Sequence, residues 1–211
     1  MELGRPTPVH AENADAAAQV LAAALHDDPG FTHLLPEPQL RHDALRAFYG
    51  YVVRDAFEHG KVLAVRDASG IAGVAVWYPP GAYPMSLRRK LGALPAMTWV
   101  TLRSPARVLA LERLGADIDA AFPSGDTAYL EALGVRPDAQ RHGHGHALMD
   151  RIVTESERAR ATCYLETSQL DNVRFYEAWG FAPLGAFAPL RRGGPAETRM
   201  LRAQPPPDPD A

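Results

Sequence analysis

Apolar positions along the chain change period several times, and each change marks an element. An Ala-rich stretch after Asn13 runs to about Leu25 and meets Asp28-Pro29-Gly30, the order of N-cap, helix body and breaker. From Leu40 to Phe57 the residues Leu45, Phe48, Tyr49, Val52, Val53 and Phe57 recur at helical intervals and Gly60 follows, which predicts a second helix. Lys61–Arg66 and Ile71–Tyr78 are short runs rich in Val and Ile around Asp67-Ala68-Ser69-Gly70, the pattern of an antiparallel hairpin that Pro79-Pro80-Gly81 ends. Between about residues 85 and 122, Leu87, Leu91, Leu94, Met97, Val108, Leu109 and Leu111 keep helical spacing. Pro95 and Ser104-Pro105 interrupt them, so two or three short helices are expected. A strand at Tyr129–Val135, a helix from Gly143 to about Ala159, a strand at Thr162–Thr167 and a short helix at Asn172–Trp179, stopped by Gly180, come next. Phe181–Leu190 and Glu197–Leu201 flank Arg191-Arg192-Gly193-Gly194-Pro195 as a second hairpin, and the Pro-rich residues 204–211 predict a disordered tail. With no internal repeat and no Ser/Gly linker, the elements predict one mixed α/β domain over residues 1–203.

Composition narrows the partners. The 211 residues carry a net charge of −3, so no large positive field is available to hold a nucleic-acid backbone or an anionic membrane. The single cysteine, Cys163, excludes an intramolecular disulfide framework and a Cys-rich zinc module, and fits a reducing compartment. No apolar run reaches the roughly 20 residues that span a bilayer, and Met1-Glu2-Leu3-Gly4-Arg5-Pro6 is no signal-peptide start. A soluble, cytoplasmic chain, monomer or homodimer, is the expectation.

The stretch from Leu133-Gly134-Val135 through Gln140-Arg141-His142-Gly143-His144-Gly145-His146 reads as strand, polar loop and helix start. Glycines let backbone approach an anion closely, and the free N–H groups of a first helical turn satisfy phosphate oxygens without basic side chains. Position 148 is Leu where a dinucleotide fingerprint wants Gly, and the Gly-Lys-Ser/Thr of a P-loop is missing, so both common nucleotide motifs are rejected. His142, His144 and His146 alternate, but alternate residues converge only on a strand, whereas these open a helix; no metal is expected.

About 30 residues on, Tyr164-Leu165-Glu166-Thr167-Ser168 leads into Asn172-Val173-Arg174-Phe175-Tyr176 and then Gly180-Phe181. Together with the Gln140–Gly145 loop, this resembles the GNAT superfamily of acetyl-CoA-dependent N-acetyltransferases. Further stretches, Asp27-Asp28-Pro29, Gly60-Lys61-Val62, Val74-Ala75-Val76-Trp77 and Leu165–Ser168, look like the puromycin-acetylating branch, while the segment from about 79 to 127 resembles it weakly. The resemblance implies a mostly antiparallel sheet of six or seven strands with helices on both faces, splayed between the strands ending near Val135 and Thr167 to admit the cofactor. It also implies that the amides of Arg141 through His146 hold a pyrophosphate, that the strand edge at Leu133, Gly134 and Val135 pairs with the pantetheine arm, and that Asn172 lies near the thioester.

Chemistry adds two roles, in line with that resemblance. An amine attacks a thioester only as the free base, so Glu166 is the candidate general base; a departing thiolate gains from a proton, so Tyr176 is the candidate general acid. Asp28, Phe31, Trp77 and Tyr78 are candidates for contact with the acceptor, though turn formation and core packing explain them nearly as well. Cys163 and Trp99 read as packing. The expected activity is acetyl transfer from acetyl-CoA to a primary amine of a small molecule, an antibiotic or a metabolite, by direct attack in a ternary complex. Acetylation of a protein or peptide amine, or a non-catalytic acetyl-CoA-binding module, are the alternatives.

Overall fold

A computed structural model describes residues 4–94, 98, 102–188, 190 and 193–204. Met97 and Trp99 within the predicted helices, Arg191 and Arg192 in the second hairpin turn, and all but the first residue of the predicted tail lie outside the described residues. The elements are β1 (Thr7–Pro8), α1 (Ala14–Ala24), α2 (Pro29–Leu34), α3 (Pro38–His59), β2 (Lys61–Asp67), β3 (Gly70–Tyr78), α4 (Leu87–Gly92) and α5 (Pro105–Ala121). They continue with β4 (Thr127–Val135), α6 (His144–Arg158), β5 (Thr162–Thr167), α7 (Leu170–Glu177), β6 (Ala182–Phe187) and β7 (Glu197–Arg202). The strands form one seven-stranded sheet in the order β1-β2-β3-β4-β5-β7-β6, antiparallel throughout except for the parallel β4–β5 pair.

Helices cover both faces, which is why the central strands β2 and β3 are nearly continuous apolar runs rather than alternating ones. On one face α1 and α3 bury Leu21, Val52 and Val53 against Val62, Val74, Tyr78 and Tyr129. On the other, α6 buries Leu148, Met149 and Ile152 against Leu63, Val65, Trp77 and Leu165. Gly134 is set by packing: a Cβ there would lie 2.8 Å from Ala24 Cβ, so only glycine lets α1 come this close to β4.

Three expectations change. Asp28-Pro29-Gly30 does not merely end α1: Asp28 Oδ1 accepts hydrogen bonds from the backbone N–H of Gly30 (2.8 Å) and Phe31 (3.4 Å), and Pro29 takes the first helical position, so the same tripeptide starts α2. The region after Ser104 holds a single 17-residue helix, begun by Pro105 where its missing N–H costs nothing. Two exposed residues, Thr7 and Pro8, add an edge strand that has no apolar pattern to announce it.

Two irregularities shape the sheet's centre. β4 and β5 pair only from Thr127–Tyr129 to Thr162–Tyr164; beyond those residues they part, as the resemblance implied. Between β3 and β4 the register shifts, with Val76 opposite Ala132 and Trp77 opposite Leu130, so Glu131 is the extra residue of a bulge. Among the described residues no helix is long and apolar enough to cross a membrane.

Candidate active site

At the end of β4, Arg136 anchors the following loop through Asp67 (2.9 Å) and Asp138 (2.5 Å). The loop turns on two left-handed residues, Arg141 (φ 63°) and Gly143 (φ 85°), the second of which is the N-cap of α6. No side chain caps that helix, and its first internal donor is the Ala147 N–H, bonded to the Gly143 carbonyl at 3.0 Å. The amides of His144, Gly145 and His146 therefore have no intrahelical acceptor and sit at the positive end of a 15-residue dipole.

The three histidines of this loop do different things. His142 Nδ1 lies 3.4 Å from the Ala139 carbonyl, His144 is buried with Nδ1 unpartnered, and the His146 ring packs on Phe175 and Trp179 at 5.1 and 5.9 Å. Gln140 Nε2 donates to the Val135 carbonyl at 3.2 Å, which ties the loop to the strand end. Among the described residues no group of three or more His, Cys, Asp or Glu is arranged to hold a metal ion.

The two candidate catalytic residues come from opposite faces of the sheet. Tyr164 belongs to the core under α1 and α3, whereas Cys163, Leu165 and Tyr176 belong to the core under α6. Strand alternation then puts Glu166 on the face of Tyr164. Tyr176 is buried, packs on Phe175 and Phe181 at 5.3 and 5.9 Å, and burial pushes its phenol well above the ordinary tyrosine value. Asn172, at the start of α7, points Nδ2 at Thr167 Oγ1 (3.4 Å).

On the α1/α3 face the splay is lined by tyrosines and acids. The Tyr83 and Tyr129 rings lie 4.3 Å apart, and Phe122 meets the Tyr164 ring edge-on at 5.4 Å. Burial raises the Glu166 carboxyl to about 7, against the pull of the nearby Tyr129 and Tyr164 hydroxyls and of Arg199. Glu131, which the bulge turns to this same face, is pushed up to about 8 by burial and then by the negative field of Glu166, Asp119 and Asp55. Glu197, at the start of β7, is raised to about 7 by burial, with Asp28 and Glu166 adding to it. Two shallow surface depressions, one at Asp15, Asp43 and Arg46 and one at Pro36, Arg103 and Arg107, include none of these residues.

The acceptor candidates divide. Tyr78 is on the tyrosine-rich face, but its hydroxyl donates to Asp55 at 2.7 Å and it is fully buried. Trp77 points the other way, into the core under α6 with Lys61 Nζ 5.8 Å from its ring centre, so it does not line the acid face. Phe31 sits edge-on to Tyr49 at 6.4 Å. Asp28 is held on both oxygens, Oδ1 by the start of α2 and Oδ2 by Ser168 (2.6 Å) and Gln169 (3.3 Å), and so links α2 to the end of β5. Glu131 and Glu197 are additions to the sequence reading. A carboxylate inside the apolar run Tyr129-Leu130-Glu131-Ala132 was a visible signal for the first; nothing in its local pattern marks the second.

Comparison with known proteins agrees with this fold. The model of the acetyltransferase (GNAT) family matches residues 21–181. Among solved structures, a histone acetyltransferase HPA2 and related acetyltransferase from Corynebacterium glutamicum is 22% identical with a TM-score of 0.70, covering 98% of this chain and 99% of its own. A polyamine N-acetyltransferase from Drosophila melanogaster shares 12% identity at a TM-score of 0.62, over 94% of this chain and 98% of that one. The ribosomal-protein-S18-alanine N-acetyltransferase of Escherichia coli shares 16% at 0.57, over 98% and 97%. With its splayed β4–β5 pair, its uncapped glycine-loop helix and a family match over most of its length, the chain belongs to the GNAT family, N-acetyltransferases that use acetyl-CoA.

Proposed function

We propose that this protein transfers the acetyl group of acetyl-CoA to a primary amine of a small molecule by direct attack in a ternary complex. The observation that carries the reading is the parting of β4 from β5, with two carboxyls of raised pKa, Glu131 and Glu166, on the α1/α3 face and the protonated Tyr176 phenol buried in the core of the opposite face.

The residues present suit the cosubstrate. The uncapped amides at the start of α6 and the left-handed Gly143 suit a pyrophosphate, and the side of β4 that no longer pairs with β5, at Leu133 and Val135, suits the amide-bearing arm. The Asn172 amide, directed at Thr167 at the end of β5, suits contact with the end of that arm. Acetyl-CoA supplies the acetyl group as a thioester; the remaining chemistry is proton management. The Glu131–Glu166 pair takes the proton that an acceptor ammonium must lose, and carboxyls raised to about 8 and about 7 are matched to that task near neutral pH. Their proton losses are properties of the pair, since each acid lies in the other's field. Tyr176 Oη, kept protonated by burial, donates to the departing sulfur.

The finer resemblance to the puromycin-acetylating branch rests on the sequence and directs the first assay. Release of CoA thiol is measured with purified protein, acetyl-CoA, puromycin and a panel of primary amines, with Tyr176→Phe and Glu131→Gln as controls. Thiol release that both variants lose supports the reading; acetyl-CoA binding without turnover on any amine refutes it and leaves a binding module.

A further inference from the structure

The last residues of β5 have a strand on one side only. β4 pairs with β5 no further than Tyr129–Tyr164, so from Leu165 to Thr167 the strand is held by β7 alone, and Ser168 and Gln169 lie past the last pair, Thr167–Thr198. These two residues join two parts of the candidate site. Glu166 stands just before them, and α7, which carries Asn172 and one turn later Tyr176, begins just after. A joint open on one flank needs a restraint from outside the sheet if those side chains are to keep their spacing.

Asp28 supplies that restraint. Its oxygens take donors from two directions: Oδ1 from the N–H groups of Gly30 (2.8 Å) and Phe31 (3.4 Å) in the first turn of α2, Oδ2 from Ser168 Oγ (2.6 Å) and Gln169 Nε2 (3.3 Å). Gln169 is the N-cap of α7, yet its side chain caps no amide of that helix and reaches to Asp28 instead. The link runs on into the helix. The buried Thr167 accepts at Oγ1 from the Gln169 N–H (3.2 Å) and from Asn172 Nδ2 (3.4 Å), and the Asn172 N–H bonds to the Gln169 carbonyl (3.1 Å). Hydrogen bonds therefore lead without a break from the start of α2, through Asp28 and the β5–α7 joint, to Asn172.

At its other end the path reaches the face that carries the carboxyls. Arg199 is opposite Glu166, so Glu197, two residues earlier on β7, shares the face of Glu166. A Cβ on Gly30 would lie 3.3 Å from Glu197 Oε1, and Phe31 packs edge-on to Tyr49 (6.4 Å), so α2 borders that face.

We propose that Asp28 is a positioning residue rather than an acceptor contact: it fastens the β5–α7 joint to α2, so that α2 tightens when acetyl-CoA is held at Asn172. The place of acetyl-CoA rests on the acetyl-transfer reading; the fastening does not. Two sides of the site that share no strand pair are thereby coupled through one side chain.

The test is amide hydrogen exchange of Gly30 and Phe31, followed by NMR with and without saturating acetyl-CoA and with no amine present. It compares the unaltered protein with Asp28→Ser and Ser168→Ala. Serine at position 28 keeps a capping oxygen for α2 but is too short to reach Ser168, and Ser168→Ala removes the shortest bond of the link from the other side. Acetyl-CoA should slow exchange of both amides at least about fivefold in the unaltered protein, and by less than about twofold in each variant. A purely structural contact would speed exchange equally with and without acetyl-CoA, so a ratio kept in either variant overturns the inference. Acetyl-CoA that binds by calorimetry without slowing exchange in the unaltered protein also overturns it, and leaves acetyl transfer standing. Acetyl-CoA that does not bind refutes the acetyl-transfer reading and the coupling with it. Should one variant fail to fold, the other decides.

Discussion

Replacing Glu131 by Gln removes a proton-binding group from the splay while keeping its shape. In the folded protein burial, then Glu166, Asp119 and Asp55, lifts this carboxyl from 4.5 to about 8, with Arg89 opposing. Between those two values the native state binds more protons than the unfolded chain, so stability falls as pH rises through that window. From about pH 5.5 to about pH 8.5 the linkage relation gives a loss of roughly 3 kcal/mol, and about half of that if the half-buried side chain relaxes toward water. Gln has no proton to lose, so the ligand-free variant should escape this loss. Urea unfolding of both proteins at the two pH values, with m unchanged, reads the difference directly. The variant's advantage should widen by about 1.5–3 kcal/mol at the higher pH. An advantage that stays constant or narrows would show that Glu131 is ionised at little cost, and would remove it as a base poised near neutrality.

Three other variants probe separate parts of the molecule. Gly143→Val forces a β-branched residue into a left-handed turn, at roughly 1–2 kcal/mol of strain, and should weaken acetyl-CoA binding at least about tenfold by calorimetry; unchanged affinity would sink the loop's role. Tyr176→Phe should lower kcat about a hundredfold with less than about a threefold change in acetyl-CoA affinity, and a wild-type kcat would exclude the phenol as acid. Arg89→Ala leaves Asp55 buried with only the Tyr78 hydroxyl, and should cost about 3–5 kcal/mol in urea unfolding; a loss below about 1 kcal/mol would mean that Asp55 reaches water.

The elements were legible wherever their signals are local. The period of α3, the turn between β2 and β3, and the glycine start of α6 each depend on residues within one or two turns of chain, and the expected boundaries lie within a few residues of those observed. Asp28-Pro29-Gly30 misled because a breaker and a helix start use the same residues, and only the neighbouring segment decides which. The uncapped start of α6 was likewise readable, since free backbone amides at a helix start need only glycines at the right spacing.

The acceptor side was not readable in the same way. Glu166 and Tyr176 were found as single residues, but their placement on opposite faces follows from the alternation of β5 and the docking of α7, which no short window contains. Glu131 gains its raised pKa from a bulge that shifts the β3–β4 register and from a parallel pairing with β5 that stops after Tyr129. Glu197 reaches the same surface only because β7 pairs with β5. Periodicity, caps and the glycine loop thus determined which elements form and where free backbone amides gather at a helix start, because their free energies are local. The company each carboxyl keeps, and hence its charge at neutral pH, was decided by long-range strand pairing, because desolvation and Coulomb fields depend on distance in space rather than along the chain.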